Sequence, residues 1–333
     1  MIEARGLGRS FRTGGQTVVA VHGIDLTVAE GELVALLGPN GAGKSTTLRM
    51  LTTLLPPTAG TARVAGADVR TAPEWVRTAI GYVGQHHAAG ENHRVRDELV
   101  TQGRWYGLGP RRSRQRADHL LDLLDLTALA TRRPATLSGG QRRRVDIALG
   151  LMHQPRLLFL DEPSAGLDPR SRADIWAQIL RLRREHGITV VLTTHYLDEA
   201  DRVAERVVIV DAGRVIADGT PARLKAALGG DQIRITTETP ADAGVAASIG
   251  ARFTTPERVG TDGTAVTLRL VRADRELPRF LRELDHAGVT VTTAASSRPS
   301  LDDVFLTLTG RRLRESGDAD PVHPATDPVH PAS

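Results

Sequence analysis

Apolar and polar positions along this chain alternate between two periods. Short continuous apolar runs at Leu33–Leu37, 157–160, 189–192 and 207–210 have the length of strands buried on both faces. Between them the spacing becomes helical. Ala117, Leu120, Leu121 and Leu124 fall at i, i+3, i+4 and i+7, and so do Val145, Ala148, Leu149 and Met152. Each set makes one apolar stripe, which predicts an amphipathic helix. Strands alternating with helices over residues 1–228 predict an α/β fold with a parallel sheet. Asp211-Ala212-Gly213 joins 207–210 to 214–217 and predicts a hairpin.

The pattern changes at Gly229-Gly230, a candidate boundary. Beyond it the sequence predicts strands at 232–236, 265–271 and 289–293 and a helix at 275–286. Together they suggest a small α+β domain over 229–310. Its last element is a helix over Leu301–Thr309, with Ser300 as cap, Asp303 three residues on, and Leu301, Val304, Phe305 and Leu308 as its stripe. From about residue 311 apolar content falls away. Asp320-Pro321-Val322-His323-Pro324-Ala325 recurs as Asp327-Pro328-Val329-His330-Pro331-Ala332. A Pro-rich repeat of this kind predicts an extended, disordered tail over 311–333.

Composition narrows the function classes. At 333 residues and 40 % apolar content, the chain can build one large domain and one small one. With no cysteine, disulfides and cysteine-based metal sites are excluded. No apolar run reaches the roughly 20 residues that cross a bilayer. The start, Met1-Ile2-Glu3-Ala4-Arg5, lacks the regions of a signal peptide. The expectation is a cytoplasmic chain that serves a membrane, if at all, through a partner. Net charge is +4, and arginine is dispersed opposite nearly as many acids. This reads as a solvated surface, not a nucleic-acid face. Of 43 basic residues only Lys44 and Lys225 are lysine. Lysine at 44 therefore stands out. A compact ammonium fits between phosphate oxygens where a planar guanidinium does not.

Gly38-Pro39-Asn40-Gly41-Ala42-Gly43-Lys44-Ser45, followed by Thr46, satisfies the P-loop pattern. A predicted strand precedes it, and a helix follows with Leu48, Leu51 and Leu55 on one face. The glycines let backbone N–H groups wrap a phosphate, and the helix N-terminus adds positive potential. Lys44 is expected to reach the β- and γ-phosphates of ATP, and Ser45 to ligate Mg²⁺. The run at 157–160 ends in Asp161-Glu162. A strand tip there can hold Asp161 near Mg²⁺ and Glu162 near the attacking water. Alone, such a tip is more often a turn or a cap; beside a P-loop the catalytic reading prevails. Leu137-Ser138-Gly139-Gly140-Gln141 is a second glycine turn opening a helix, hence a second anion-binding terminus. One ATP has no obvious use for two. The turn makes sense if it closes over the ATP of a second subunit.

Over about residues 1–228 these motifs resemble the nucleotide-binding subunit of an ABC transporter, Ser138-Gly139-Gly140-Gln141 being similar to the family's signature. The resemblance implies roles for further residues. Gln85 resembles the Q-loop glutamine that meets Mg²⁺ and the membrane partner. The stretch 164–168, ending in Asp168, resembles the D-loop. His195 resembles the switch histidine at the γ-phosphate. Phe11 sits where the family often stacks an aromatic on adenine, with an ordinary core role as the alternative. Implied too are ATP and Mg²⁺ as cofactors, an ATP-sandwich dimer with a second copy, and a separate integral membrane subunit. The chain would then lie at the cytoplasmic face of the membrane, with no nucleic acid as partner.

The stretch 299–310 and Arg142-Arg143-Arg144 resemble, more narrowly, the daunorubicin-resistance exporter ATPases of actinobacteria. That implies ATP-driven export of a drug or secondary metabolite. Three rivals stand beside it: a soluble ABC ATPase acting on ribosomes or DNA, a non-catalytic regulator whose 229–310 domain binds a ligand, and an importer ATPase. The stretch 86–93, with His86, His87, Glu91 and His93, lies where the family meets its partner and follows no clear family pattern. As a metal cluster it lacks further ligands. Asp198-Glu199-Ala200-Asp201 spells the helicase box. It is read instead as an acidic first helical turn, continuing into Val203 and Val207 with helical spacing.

Overall fold

Five residues with no polar side chain, Leu33–Leu37, are all buried and form the centre of the main sheet. The computed structural model describes residues 1–310, so the tail predicted over 311–333 lies outside the described residues. The chain begins with β1 (Ile2–Thr13) and β2 (Gln16–Val28), then β3 (Leu33–Leu37) and α1 (Lys44–Leu51). β4 (Ala59–Val64) and β5 (Ala67–Asp68) precede α2 (Pro73–Ala79) and β6 (Ile80–Val83). Three helices follow: α3 (Val95–Trp105), α4 (Pro110–Leu123) and α5 (Gly139–Leu151). β7 (Leu157–Asp161), α6 (Pro169–His186), β8 (Thr189–Thr194), α7 (Leu197–Val203), β9 (Arg206–Asp211), β10 (Arg214–Gly219) and α8 (Pro221–Ala226) come next. The remainder is β11 (Asp231–Thr237), α9 (Pro240–Gly250), β12 (Val259–Asp262), β13 (Ala265–Leu270), α10 (Ala273–His286), β14 (Val291–Ser297) and α11 (Leu301–Thr309).

The main sheet has the order β10-β9-β3-β8-β7-β6. It is parallel except for the β9–β10 hairpin, which turns at Asp211-Ala212-Gly213 as expected. Parallel strands put their carboxyl ends on one edge. In register Leu37 pairs with Thr194, and Asp161 pairs with Thr193. The loops after β3, β7 and β8 therefore open side by side. This topology brings the P-loop together with the Asp161-Glu162 tip and His195, which lie more than a hundred residues further along the sequence.

The sheet separates two cores, because successive side chains point to opposite faces. Leu33, Ala35, Leu37, Leu158 and Leu160 face one core, with Leu120, Leu121 and Ile175 from the helices. Val34, Leu36, Leu157 and Phe159 face the other, with Leu48 of α1 and Ile2, Leu7 and Ile24 of an antiparallel sheet ordered β2-β1-β4-β5. The apolar pattern does not predict that second sheet. Register shifts along β1 and β2 break the two-residue alternation that would reveal it.

Two helical expectations are corrected. α1 ends before Thr52, so Leu55 lies past it, although its side chain still packs on the second core. α7 ends at Val203, and Val207 belongs to β9. In the C-terminal segment, β12-β13-β11-β14 form an antiparallel sheet. Its core of Ile233, Ile235, Val266, Leu268, Phe280 and Leu284 is separate. α9 and β12 are additions to the predicted set. β14 begins two residues later than expected, and Val289 is a buried loop residue. Among the described residues no helix is long and apolar enough to cross a membrane.

α11 matches its predicted bounds, and Ser300 and Asp303 form the predicted capping box. It packs on α7 and α8, and Leu301, Val304 and Phe305 are buried in the first core. Phe305→Ala is therefore expected to destabilise the fold by about 3–5 kcal/mol through this first core. Chemical denaturation followed through Trp176, which packs in the same cluster, measures it.

Candidate active site

The P-loop follows β3 and needs glycine where the sequence has it. A Cβ at Gly38 would lie 2.0 Å from the Val210 carbonyl oxygen. Gly43 has φ +99°, and a Cβ there would meet the Ala20 carbonyl oxygen at 2.8 Å. The loop is braced: Ala42 N–H donates to Pro39 O (3.2 Å), and Gly213 N–H to Ala42 O (2.9 Å). Asn40 and Gly41 are exposed and Thr46 is half-buried. The first turn of α1 carries no acidic residue, so its positive end is free to favour an anion.

Lys44 is only 4 % exposed. Its Nζ donates to Gly38 O (2.8 Å) and Pro39 O (2.9 Å) and stands 3.9 Å from Glu162 Oε1. Burial pushes the ammonium below its ordinary value, against the charges of Glu162 and Asp161. Ser45 Oγ donates to Asp161 Oδ1 (2.8 Å), and Thr193 Oγ1 donates to the same oxygen (2.6 Å). Asp161 is fully buried, and its Oδ2 has no hydrogen-bond partner. A bare carboxylate oxygen beside a serine hydroxyl is a hard donor pair suited to Mg²⁺.

Glu162 has φ +47°, a conformation that strains a non-glycine residue. Its N–H donates to Thr193 Oγ1 (2.9 Å). His195 Nδ1 lies 3.3 Å from Oε1, and Gln85 Nε2 lies 3.5 Å from Oε2. Burial would raise this carboxyl, but the His195 ring, then Lys44 and Arg143, bring it below the usual glutamate value. Glu162 is thus held ionised, as a water-polarising base must be.

Four predicted residues, Lys44, Gln85, Glu162 and His195, meet around one carboxylate, with Ser45 and Asp161 adjoining. The others lie apart from it. Ser138 caps α5 and forms a capping box with Gln141. Ser138 and Gly139 are exposed. Gly140 is buried where a Cβ would meet Ser171 Cβ at 2.7 Å. Asp168 caps α6, accepting from Ser171 N–H (3.0 Å) and Arg170 N–H (3.1 Å). Phe11 is a half-buried residue of β1, with the Arg9 guanidinium 4.8 Å from its ring centre.

Two family models match the chain. "ABC transporter" matches residues 21–165, and "ATP-binding protein DrrA1-3-like, C-terminal domain" matches 219–309. "Daunorubicin resistance ATP-binding protein DrrA3" of Streptomyces coeruleorubidus is 44 % identical over 299 residues, covering 89 % of this chain and 94 % of that one. The chain belongs to the ABC transporter ATPase family. "Nod factor export ATP-binding protein I" of Rhizobium sp. is 37 % identical, covering 94 % of this chain and 98 % of the other. Among solved structures, a dimeric post-hydrolysis ATP-binding cassette, MJ0796 bound to ADP and Pi, superposes with TM-score 0.61 at 27 % identity. It covers 66 % of this chain and 98 % of its own. The chain is an ATP-hydrolysing ABC ATPase.

In this ABC ATPase two sets of buried charged residues support the site from behind. Ser164 Oγ of the D-loop donates to buried Glu199 Oε2 (2.6 Å), whose other oxygen lies 3.2 Å from Arg172 Nε. The Arg172 guanidinium covers the Tyr196 ring at 4.2 Å, and that ring lies 4.1 Å from His195. Glu199 is thus more than a dipole-favoured acid. The second support comprises Arg143 and Asp146, both buried in α5. Both lie off the apolar stripe of Val145, Ala148, Leu149 and Met152, so the helical pattern carries no signal of their burial.

Glu162→Gln is expected to keep ATP binding while turnover falls by about a hundred- to ten-thousand-fold, as for a lost general base. Steady-state phosphate release beside nucleotide titration checks this. Lys44→Arg is expected to lower turnover by at least about a hundredfold, because a guanidinium does not fit between the two loop carbonyls. The same two assays decide it.

Proposed function

We propose that two copies of this chain enclose two ATP molecules and drive export of an amphipathic drug or secondary metabolite through a separate integral membrane protein. One observation carries the dimer. A second anion-binding helix terminus, at Ser138 and Gly139, is exposed and capped, while the P-loop has its own terminus on α1. In a symmetric pair each ATP would lie on one chain's P-loop and under the other's Ser138–Gly140 turn. Export is supported by the named relatives, which serve daunorubicin resistance and Nod factor export.

The chemistry divides among the residues in place. Lys44, the P-loop N–H groups and the partner copy's turn bind phosphate oxygens and disperse their charge. Glu162 holds the attacking water and draws on its proton. His195 and Gln85 fix that carboxylate, and His195 also faces the γ-phosphate. Ser45, Asp161 and Gln85 would hold Mg²⁺, which when bound neutralises β- and γ-phosphate charge. Asp168 opens α6 beside the partner copy, and Phe11 offers a ring to adenine. Closure on ATP and release after hydrolysis would move the membrane subunit. The working place is the cytoplasmic face of the membrane.

The test is reconstitution in lipid vesicles with the integral membrane protein that co-purifies with this chain. ATP-dependent daunorubicin accumulation, lost with Glu162→Gln, is the expected outcome. Transport unaffected by that substitution, or co-purification with ribosomes in place of a membrane partner, contradicts it.

A further inference from the structure

Gln85 is held in an unusual way. The residues on both sides of it are fastened to α5, the helix that opens with Ser138. On the near side, Arg143 Nη1 donates to Gly84 O (2.6 Å). On the far side, Ala88 and Ala89 N–H donate to Asp146 Oδ1 (2.9 and 3.1 Å), and His87 Nδ1 donates to Oδ2 (2.7 Å). Arg143 also reaches the other catalytic loop. Its Nη2 donates to Asp161 O (2.9 Å) and its Nε to Pro163 O (3.0 Å). Both side chains are almost fully buried, Arg143 at 3 % and Asp146 at 1 % exposure. They stand at i and i+3, on one face of α5.

The contacts have a common logic. Every strong donor of Arg143 meets a backbone carbonyl of a catalytic loop, and both oxygens of Asp146 meet the loop after Gln85. A buried charge with all its partners in place is rigid, because losing any one leaves a charge unsatisfied in a low-dielectric site. The exposed anion turn at one end of α5 therefore cannot shift without carrying Gly84, His87–Ala89 and the backbone flanking Glu162.

We propose that Arg143 and Asp146 are positioning residues for ATP hydrolysis, locking Gln85 and the Glu162 strand tip to the helix that presents the Ser138 turn. This rests on the sandwich-dimer reading. Each α5 then joins the ATP held by its own chain to the ATP it covers on the second copy. A change at one site moves the other through a single helix, which is a coupling between sites.

Sedimentation velocity with Mg·ATP, on chains carrying Glu162→Gln to prevent hydrolysis, reads the effect. Added Asp146→Ala is expected to raise the ATP concentration for half-maximal dimerisation about tenfold. Affinity for ATP without Mg²⁺ is expected to stay within about twofold, since the P-loop is untouched. In the hydrolysing background the same substitution is expected to bring the Hill coefficient for ATP down to one. Asp146→Asn keeps an acceptor for Ala88 and Ala89 and is expected to restore most of both. His87→Ala, at an exposed side chain, is expected to give an intermediate shift, and decides the matter if Asp146→Ala does not fold. A folded Asp146→Ala or His87→Ala chain that dimerises at the parental ATP concentration with parental cooperativity overturns the positioning role. A parent that forms no dimer at any ATP concentration overturns the sandwich reading itself, and the coupling with it.

Discussion

A carboxylate oxygen buried without a donor is a charge that calls for a cation, and Asp161 Oδ2 is one. Much of the site is arranged around this carboxylate. Its other oxygen is shared by Ser45 of the P-loop and Thr193 of β8, so one side chain ties three strand tips together. The parallel register of β7 against β8 places Thr193 there. The all-apolar β3 places Ser45 at the same edge by burying on both faces. The fold thus acts as a jig that brings a phosphate cradle and a metal-seeking carboxylate to one point.

Glu162 next to it is held against its own preference. A positive φ at a glutamate costs on the order of 1–3 kcal/mol, and the surrounding bonds offset this. Thr193 accepts from its N–H, and Arg143 accepts no freedom on either flank, donating to Asp161 O and Pro163 O. The strain aims the carboxylate at Lys44, Gln85 and His195 together. His195, then Lys44 and Arg143, keep it ionised in a half-buried place. The chemistry of the base is set by the backbone that carries it.

The central strands, the P-loop, the Asp161-Glu162 tip and α11 were legible in the chain because each depends on local pattern: an apolar run, a glycine spacing, a capping box. The antiparallel sheet of β1, β2, β4 and β5 was not, since bulges erase its alternation. α9 was hidden by its composition, being so rich in alanine and glycine that no clear polar face marks its period. Among site residues, those in contiguous motifs were found and the buried braces were not. In the sequence Arg143 is one of three consecutive arginines, Glu199 is an acid of a first helical turn, and Asp146 belongs to no motif. Their roles depend on which face of a helix meets which loop, and that is tertiary information.

In the proposed dimer the ATP site is divided, with the base and cradle on one chain and the second glycine turn on the other. Each working site is then shared by two chains. Mixing two inactive variants tests this most directly. Glu162→Gln removes the base but keeps the turn, and Ser138→Arg blocks the turn but keeps the base. In a mixed pair one of the two sites regains both parts, so an equal mixture should recover up to about a quarter of parental ATPase activity. A mixture no more active than the sum of its two inactive components would contradict the shared site.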